Sequence, residues 1–329
     1  MKSFVTMFFC LLQILHRAAS FEQVYGQPVV GILTFPTDDA SGVGAVHGHP
    51  YSGKALEDPS SYLDASYVLW LGEGGARAVA IPYDIEEADL EELFGKLNGV
   101  LFTGGPAKPE SFPTYFETAK ALYNMVLSSE EYVPLWGTCL GFETISSIVA
   151  EGGEDAVLSD FDAEQLSLPL VFTEQAEASR LYGGAMPPTV RETFAGQNVT
   201  TNWHTYGVGV DSFAELLAGD AAGGLVATST NFDRAGLEFV SSFEHSSKPV
   251  YAVQWHPEAN QFDSTDKKGD GTPNRGADAV EAMSYLARFF VDEARKNSNR
   301  FEDEDDFTKW VLAGDMEGVD YDGWIYWFA

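Results

Sequence analysis

The first 150 residues predict an α/β fold, a doubly wound and mostly parallel sheet with flanking helices. Two observations carry that prediction. Apolar runs of strand length alternate with longer segments of helical spacing, and the runs are unbroken, as in strands covered on both faces. PVVGIL (28–33) is the first strand, and SYLDASYVLWLGEGG (61–75) is a helix stopped by glycine. ARAVAIP (76–82) is a second strand. IEEADLEELFGKLN (85–98) is an amphipathic helix with acids in its first turn, favoured by the positive end of the helix dipole. GVLFTGGP (99–106) and YVPLWGTC (132–139) are the third and fourth strands, with helices at 114–130 and 140–150.

The second half is strand-rich, as an insertion: LSLPLVF, GGLVATST, LEFVSSF and PVYAVQW lie between turn signals. GADAVEAMSYLARFFVDEARKN (276–297) is a long closing helix. The segments 34–61 and 263–276 read as loops; His47 and His49 have no further ligand pattern around them, so no metal site is expected. FEDEDD (301–306) opens an acidic, aromatic-ended tail, 301–329, that the pattern does not place.

Residues 1–20 have one early lysine, an apolar run from Phe4 to Leu15 and the small-residue end Ala18-Ala19-Ser20. That is the layout of a cleaved signal peptide, and the run is too short to span ~30 Å of hydrocarbon. A single domain over 21–300 is expected to follow, routed through the secretory pathway to the medium or a lysosome or vacuole. Cleavage removes two of the 19 bases, Lys2 and Arg17, and none of the 50 acids, taking the formal charge from −31 to −33. So acidic a surface repels phosphate backbones and disfavours nucleic-acid partners, and no membrane insertion is expected. Asn198-Val199-Thr200 offers a glycosylation sequon. The subunit count is open, with a homodimer among the options.

Cleavage also removes Cys10, one of 2 cysteines, leaving Cys139 without an intrachain partner. Gly137 and Gly141 flank it in a G-x-C-x-G pattern, the thiol counterpart of the nucleophile elbow. Such a turn lifts the sulfur clear of the sheet beside a helix N-terminus, where the dipole favours thiolate. The Leu140 amide would point at a forming oxyanion, and Gly105 of the double glycine Gly104-Gly105 supplies a second donor. His256, at the end of PVYAVQWHPE, is the base, and Glu258 would fix its tautomer as the third member of a triad. No cofactor is needed for this chemistry.

The pair of blocks GTCLG and WHPE, over a hundred residues apart, resembles the class I glutamine amidotransferase superfamily. Within it, WGTCLGFE, VYAVQWHPE, SYVLWL with GARAV, and FFVDEARKN resemble the γ-glutamyl hydrolase family over most of residues 28–300. The resemblance implies a flavodoxin-like domain, Cys139 as nucleophile and His256 as catalytic histidine, with Glu258 at the family's third position. His204 in TNWHTYGV matches a second active-site histidine of the family. Glu143, one turn into the nucleophile helix, stands at a polar position that glutaminases use, either sensing a substrate α-amine or supporting the site. Residues 34–61, 260–275 and the tail match poorly.

A γ-glutamyl peptide bond and a glutamine amide share one acyl group and differ in the leaving amine, so one nucleophile serves both. A signal segment and no room for a synthase domain favour the free-standing hydrolase, acting on a small poly-γ-glutamate conjugate such as a folate polyglutamate. A glutaminase, a γ-glutamyl peptidase on other substrates and a secreted non-catalytic binding protein are the alternatives. The substrate is a polyanion and the protein is acidic, so local positive patches are expected, with Arg180 and Arg191 as candidates.

Overall fold

The computed structural model describes residues 26–37, 45–46, 49–50, 61–218, 224–262, 273–310, 315–319 and 323–328. The expected signal segment, Cys10 and His47 lie outside the described residues.

An eight-stranded sheet runs through the middle. Its strands are β1 (Val29–Leu33), β2 (Arg77–Ile81), β3 (Gly99–Phe102), β4 (Leu135–Thr138), β6 (Val171–Phe172), β8 (Leu225–Phe232), β9 (Glu238–His245) and β10 (Val250–Val253). β5 (Leu158–Leu168) and β7 (Thr200–Val208) form a separate antiparallel pair. In space the order is β6-β8-β9-β10-β4-β3-β1-β2. The five strands β2-β1-β3-β4-β10 are parallel, and β6, β8 and β9 extend them antiparallel. Counting only the parallel strands, the order is 2-1-3-4-5, that of the flavodoxin-like sheet. The strand-rich insertion is thus β5 to β9, part of it widening the sheet and part forming a hairpin beside it.

Period-two alternation assigns each strand's side chains to one of two cores. Val29, Leu33, Val100, Phe102, Leu135, Val250 and Ala252 face one of them, shared with α2 (Glu87–Phe94), α3 (Pro113–Ser128) and α4 (Leu140–Val149). Val30, Ile32, Leu101, Trp136, Tyr251 and Val253 face the other, shared with α1 (Ala65–Gly74), α5 (Pro188–Gly196) and α7 (Ala277–Ala294). A seventh helix, α6 (Val210–Leu216), puts Phe213 into the first core. Trp70, Trp136 and Phe290 pack ring against ring under α1 and α7, with centroids 5.3–6.5 Å apart.

One expectation changes. The segment 61–75 is not helical throughout: Ser61–Asp64 is a strand, and α1 begins only where Asp64 accepts a 2.8 Å hydrogen bond from the Ser66 amide. Gly75, at φ 87°, ends it as the glycine stop predicts. The tail, which the sequence pattern does not place, joins the fold. Gly323–Phe328 pairs antiparallel with Ser61–Asp64, which in turn pairs with Phe35–Pro36. Phe301 and Phe307 are buried in the first core, and the Arg77 guanidinium lies 3.7 Å over the Phe307 ring.

The glycines flanking Cys139 are required by close approach. A Cβ on Gly137 would lie 2.8 Å from the Gly141 carbonyl, and one on Gly141 would lie 2.4 Å from the Phe102 carbonyl oxygen in the central strand β3. Neither backbone can yield without moving the sheet. Gly141→Ala is therefore expected to destabilise the fold by ~1–3 kcal/mol, seen as a lower urea midpoint; an unchanged midpoint would show that the elbow tolerates bulk.

Candidate active site

Cys139 sits between β4 and α4 at φ 51°, ψ −104°, a backbone conformation that a non-glycine residue rarely adopts. Its amide donates to the Val253 carbonyl at 2.9 Å, and the Gly141 amide donates to the Thr103 carbonyl at 3.0 Å. The elbow is thus stitched to the carboxyl ends of β10 and β3, the edge where open parallel sheets bind ligands. Leu140 is the first residue of α4, where backbone N–H groups have no intrahelical acceptor. The loop after β3 brings Gly105 against the Leu140 side chain, a Cβ there falling 2.5 Å from Leu140 Cδ2. That contact brings the loop carrying one expected oxyanion donor against the residue that carries the other.

His256 lies three residues beyond the end of β10, and its amide donates to the Thr201 carbonyl of β7 at 2.9 Å. Nδ1 donates to Glu258 Oε1 at 2.6 Å, with both side chains almost wholly buried. That bond fixes the tautomer and leaves Nε2 for the thiol of Cys139, which is within hydrogen-bonding reach of the ring. Trp203 of β7 packs on the imidazole with centroids 5.0 Å apart.

The electrostatics correct one expectation. Burial pushes the Cys139 thiol above its ordinary range, against the pull of His256, and the Glu143 and Glu258 carboxylates push it further up. The helix start does not by itself yield a thiolate. Burial would lower His256, but the Glu258 carboxylate and Cys139 outweigh it and hold the imidazole well above its usual value. Ionisation of the sulfur therefore depends on transfer of its proton to His256.

Two residues, Tyr67 and Gln254, escaped the sequence reading, and Gly104 of the double glycine has a further contact. Tyr67, buried on α1, accepts a 2.8 Å hydrogen bond from the Gly104 amide, and its hydroxyl stands 3.5 Å from His256 Nδ1. A Cβ on Gly104 would lie 2.6 Å from His256 Cε1, so glycine there lets the loop touch the imidazole. Gln254 donates to Glu143 Oε1 at 2.9 Å. Tyr67 lies inside the SYVLWL segment, but one tyrosine in an amphipathic helix carries no signal until the fold sets it against a loop 37 residues away.

Glu143 is buried, and burial raises its carboxyl to about 8 despite the Gln254 bond. His204 is also buried, its Nδ1 2.7 Å from the Tyr206 carbonyl and its Nε2 3.2 Å from Asn202 Oδ1, so in this structure neither nitrogen is offered to the thiol. Its ring stands edge-on to Phe239, and burial lowers its pKa to about 4. The Asn198 side chain is exposed. Arg180 and Arg191 do not form the expected positive patch. Arg180 donates to the carbonyls of His245 and Lys248, with its Nε 3.7 Å from Glu244, and Arg191 pairs with Glu177 at 2.6 Å.

Fold and site together define a class: an α/β protein with a thiol elbow facing an imidazole–carboxylate pair, the equipment of a cysteine-dependent acyl hydrolase. A family model described as Peptidase C26 matches residues 43–258. Mouse γ-glutamyl hydrolase is 39% identical over 253 residues, covering 76% of each chain. γ-Glutamyl hydrolase B of Dictyostelium discoideum is 33% identical over 92% of this chain and 82% of its own. Human γ-glutamyl hydrolase is 36% identical, covering 76% of each chain. The chain belongs to the Peptidase C26 family.

The buried acid gives the fold a pH signature. Glu143 holds its proton more tightly folded than unfolded, so stability falls as pH climbs from 4.5 to about 8. His204 works at the other end: its lowered pKa removes stability as pH falls from 6.5 to about 4. Glu143→Gln should leave the melting temperature near pH 4.5 almost unchanged and raise it by ~5 °C at pH 8. Parallel pH profiles for the two proteins would mean that Glu143 is ionised in the fold at neutral pH.

Proposed function

We propose that this protein hydrolyses γ-glutamyl amide bonds through a thioester on Cys139, with folate poly-γ-glutamates as its substrates. The strained Cys139 backbone facing the Glu258-bound imidazole of His256 carries the proposal; membership of the Peptidase C26 family and the likeness to γ-glutamyl hydrolases support the substrate class.

As the sulfur approaches the γ-carbonyl carbon, its proton passes to His256 Nε2 and the S–C bond forms. The carbonyl oxygen becomes an oxyanion held by the Leu140 and Gly105 amides; one such donor typically lowers the barrier by ~3 kcal/mol. Collapse of the tetrahedral adduct breaks the C–N bond, and the imidazolium gives its proton to the departing amine. Water then gives a proton to His256, attacks the thioester and releases the γ-carboxylate, the proton returning to sulfur. Glu258 orients the ring and stabilises the imidazolium. Tyr67 positions the Gly104–Gly105 loop and the imidazole together. Glu143, protonated below about pH 8, spares the developing thiolate a second negative charge, which favours its supporting role over ion pairing with an α-amine. His204 braces β7 behind Trp203.

The segment 1–20 and the exposed Asn198 support a secretory route, ending in the medium or in a lysosome or vacuole, where acid pH suits a protein with 50 carboxylates and 19 basic side chains. A defined pteroyl poly-γ-glutamate should be cleaved by the wild-type protein, with products resolved by chain length. Cys139→Ala should lower kcat by at least ~10³-fold. Ammonia release from glutamine that outpaces polyglutamate cleavage would replace the hydrolase with a glutaminase, and cleavage unaffected by Cys139→Ala would end the thioester mechanism.

A further inference from the structure

A γ-glutamyl substrate brings a negative charge into the site along with its amide. The α-carboxylate of the acyl glutamyl unit is four bonds from the attacked carbonyl carbon, ~5 Å at full extension. In a protein with 50 acids and 19 bases, a cation with no carboxylate partner among the described residues needs a reason. Lys108 is that cation.

It lies three residues beyond Gly105, on the loop that offers the second oxyanion amide, and it is half-buried. Its Nζ stands 4.9 Å over the ring of Tyr206, on β7. Among the described residues no carboxylate lies within ion-pairing distance of it, although its charge reaches both Glu143 and Glu154. Those two acids are committed elsewhere: Glu143 accepts from Gln254, and Glu154 Oε2 accepts from the Glu110 amide at 2.7 Å. The Glu154 amide returns the bond to Glu110 Oε1 at 2.8 Å, clamping the loop two residues after Lys108 to the start of the short helix Glu154–Val157 that follows the nucleophile helix. Pro106 and the buried Pro109 restrict the backbone on either side. An ammonium is thus held over Tyr206, with its charge felt at Glu143 of the nucleophile helix, whereas Arg180 and Arg191 are committed to other partners.

We infer that Lys108 binds the α-carboxylate of the glutamyl unit whose γ-carbonyl Cys139 attacks, a substrate-binding role that rests on γ-glutamyl hydrolysis being the reaction. The bond is made equally in the bound substrate and in the transition state, so it acts on KM more than on kcat.

The test compares two substrates: one γ-linked glutamyl amide with its acyl-side α-carboxylate free, and the same compound with that carboxylate converted to a primary amide. Wild type should show KM about 10- to 100-fold lower for the free acid, with kcat nearly equal, as expected for a charge-assisted hydrogen bond. Lys108→Ala should lose that discrimination, with the rate of Cys139 alkylation by iodoacetamide unchanged, and Lys108→Arg should restore most of it. A Lys108→Ala protein that still prefers the free acid as wild type does would overturn the inference while leaving γ-glutamyl hydrolysis intact. Failure of the wild type to cleave either compound, with Cys139 still readily alkylated, would overturn the proposed reaction and this inference with it.

Discussion

The bond from His256 Nδ1 to Glu258 Oε1, 2.6 Å long and buried, is the contact on which the remainder of the site turns. Burial alone would strip the proton from the imidazole and leave the thiol un-ionised, because a low-dielectric site disfavours both charges. The Glu258 carboxylate reverses this for the ring. With an imidazole able to carry the proton, the sulfur can part with its own. Much of the surrounding architecture positions that pair: Thr201 accepts the His256 amide, Trp203 covers the ring, and Tyr67 ties it to the Gly104 loop.

The price of the elbow is a strained Cys139 backbone, and the parallel sheet supplies what offsets it. β4 lies between β3 and β10, and the ends of both neighbours accept amides from the turn. A residue at φ 51° persists only where the structure around it over-determines the conformation. The same strands bring the three sequence-distant parts, the 103–105 turn, the elbow and residues 254–258, to one edge.

Much of this was legible in the sequence, for reasons that differ by element. β1 to β4 and their helices announce themselves through unbroken apolar runs and helical spacing, signals written within a few residues of each other. Cys139, His256 and Glu258 stand out because a glycine-flanked thiol and a histidine before proline are unusual in themselves. What stayed hidden depends on contacts between distant segments. Ser61–Asp64 looks like the front of a helix and becomes a strand because Phe35–Pro36 and Gly323–Phe328 pair with it. Arg180 and Arg191 offered charge in the sequence, but only the fold shows carbonyls and carboxylates consuming it. The thiol's burial was hidden too, because the helix dipole can be read from a motif and desolvation cannot.

The dependence of the sulfur on the imidazole is most directly exposed by the pH dependence of Cys139 alkylation with iodoacetamide, a reaction that needs no substrate. Wild-type alkylation should rise with pH between 6 and 8, as the Cys139–His256 pair loses its first proton, whereas His256→Ala should react at least ~10²-fold more slowly over that interval and recover only above the ordinary thiol range. Equal rates for the two proteins across that interval would show that the elbow ionises the sulfur unaided, and would contradict a proton transfer from Cys139 to His256 as the source of the nucleophile.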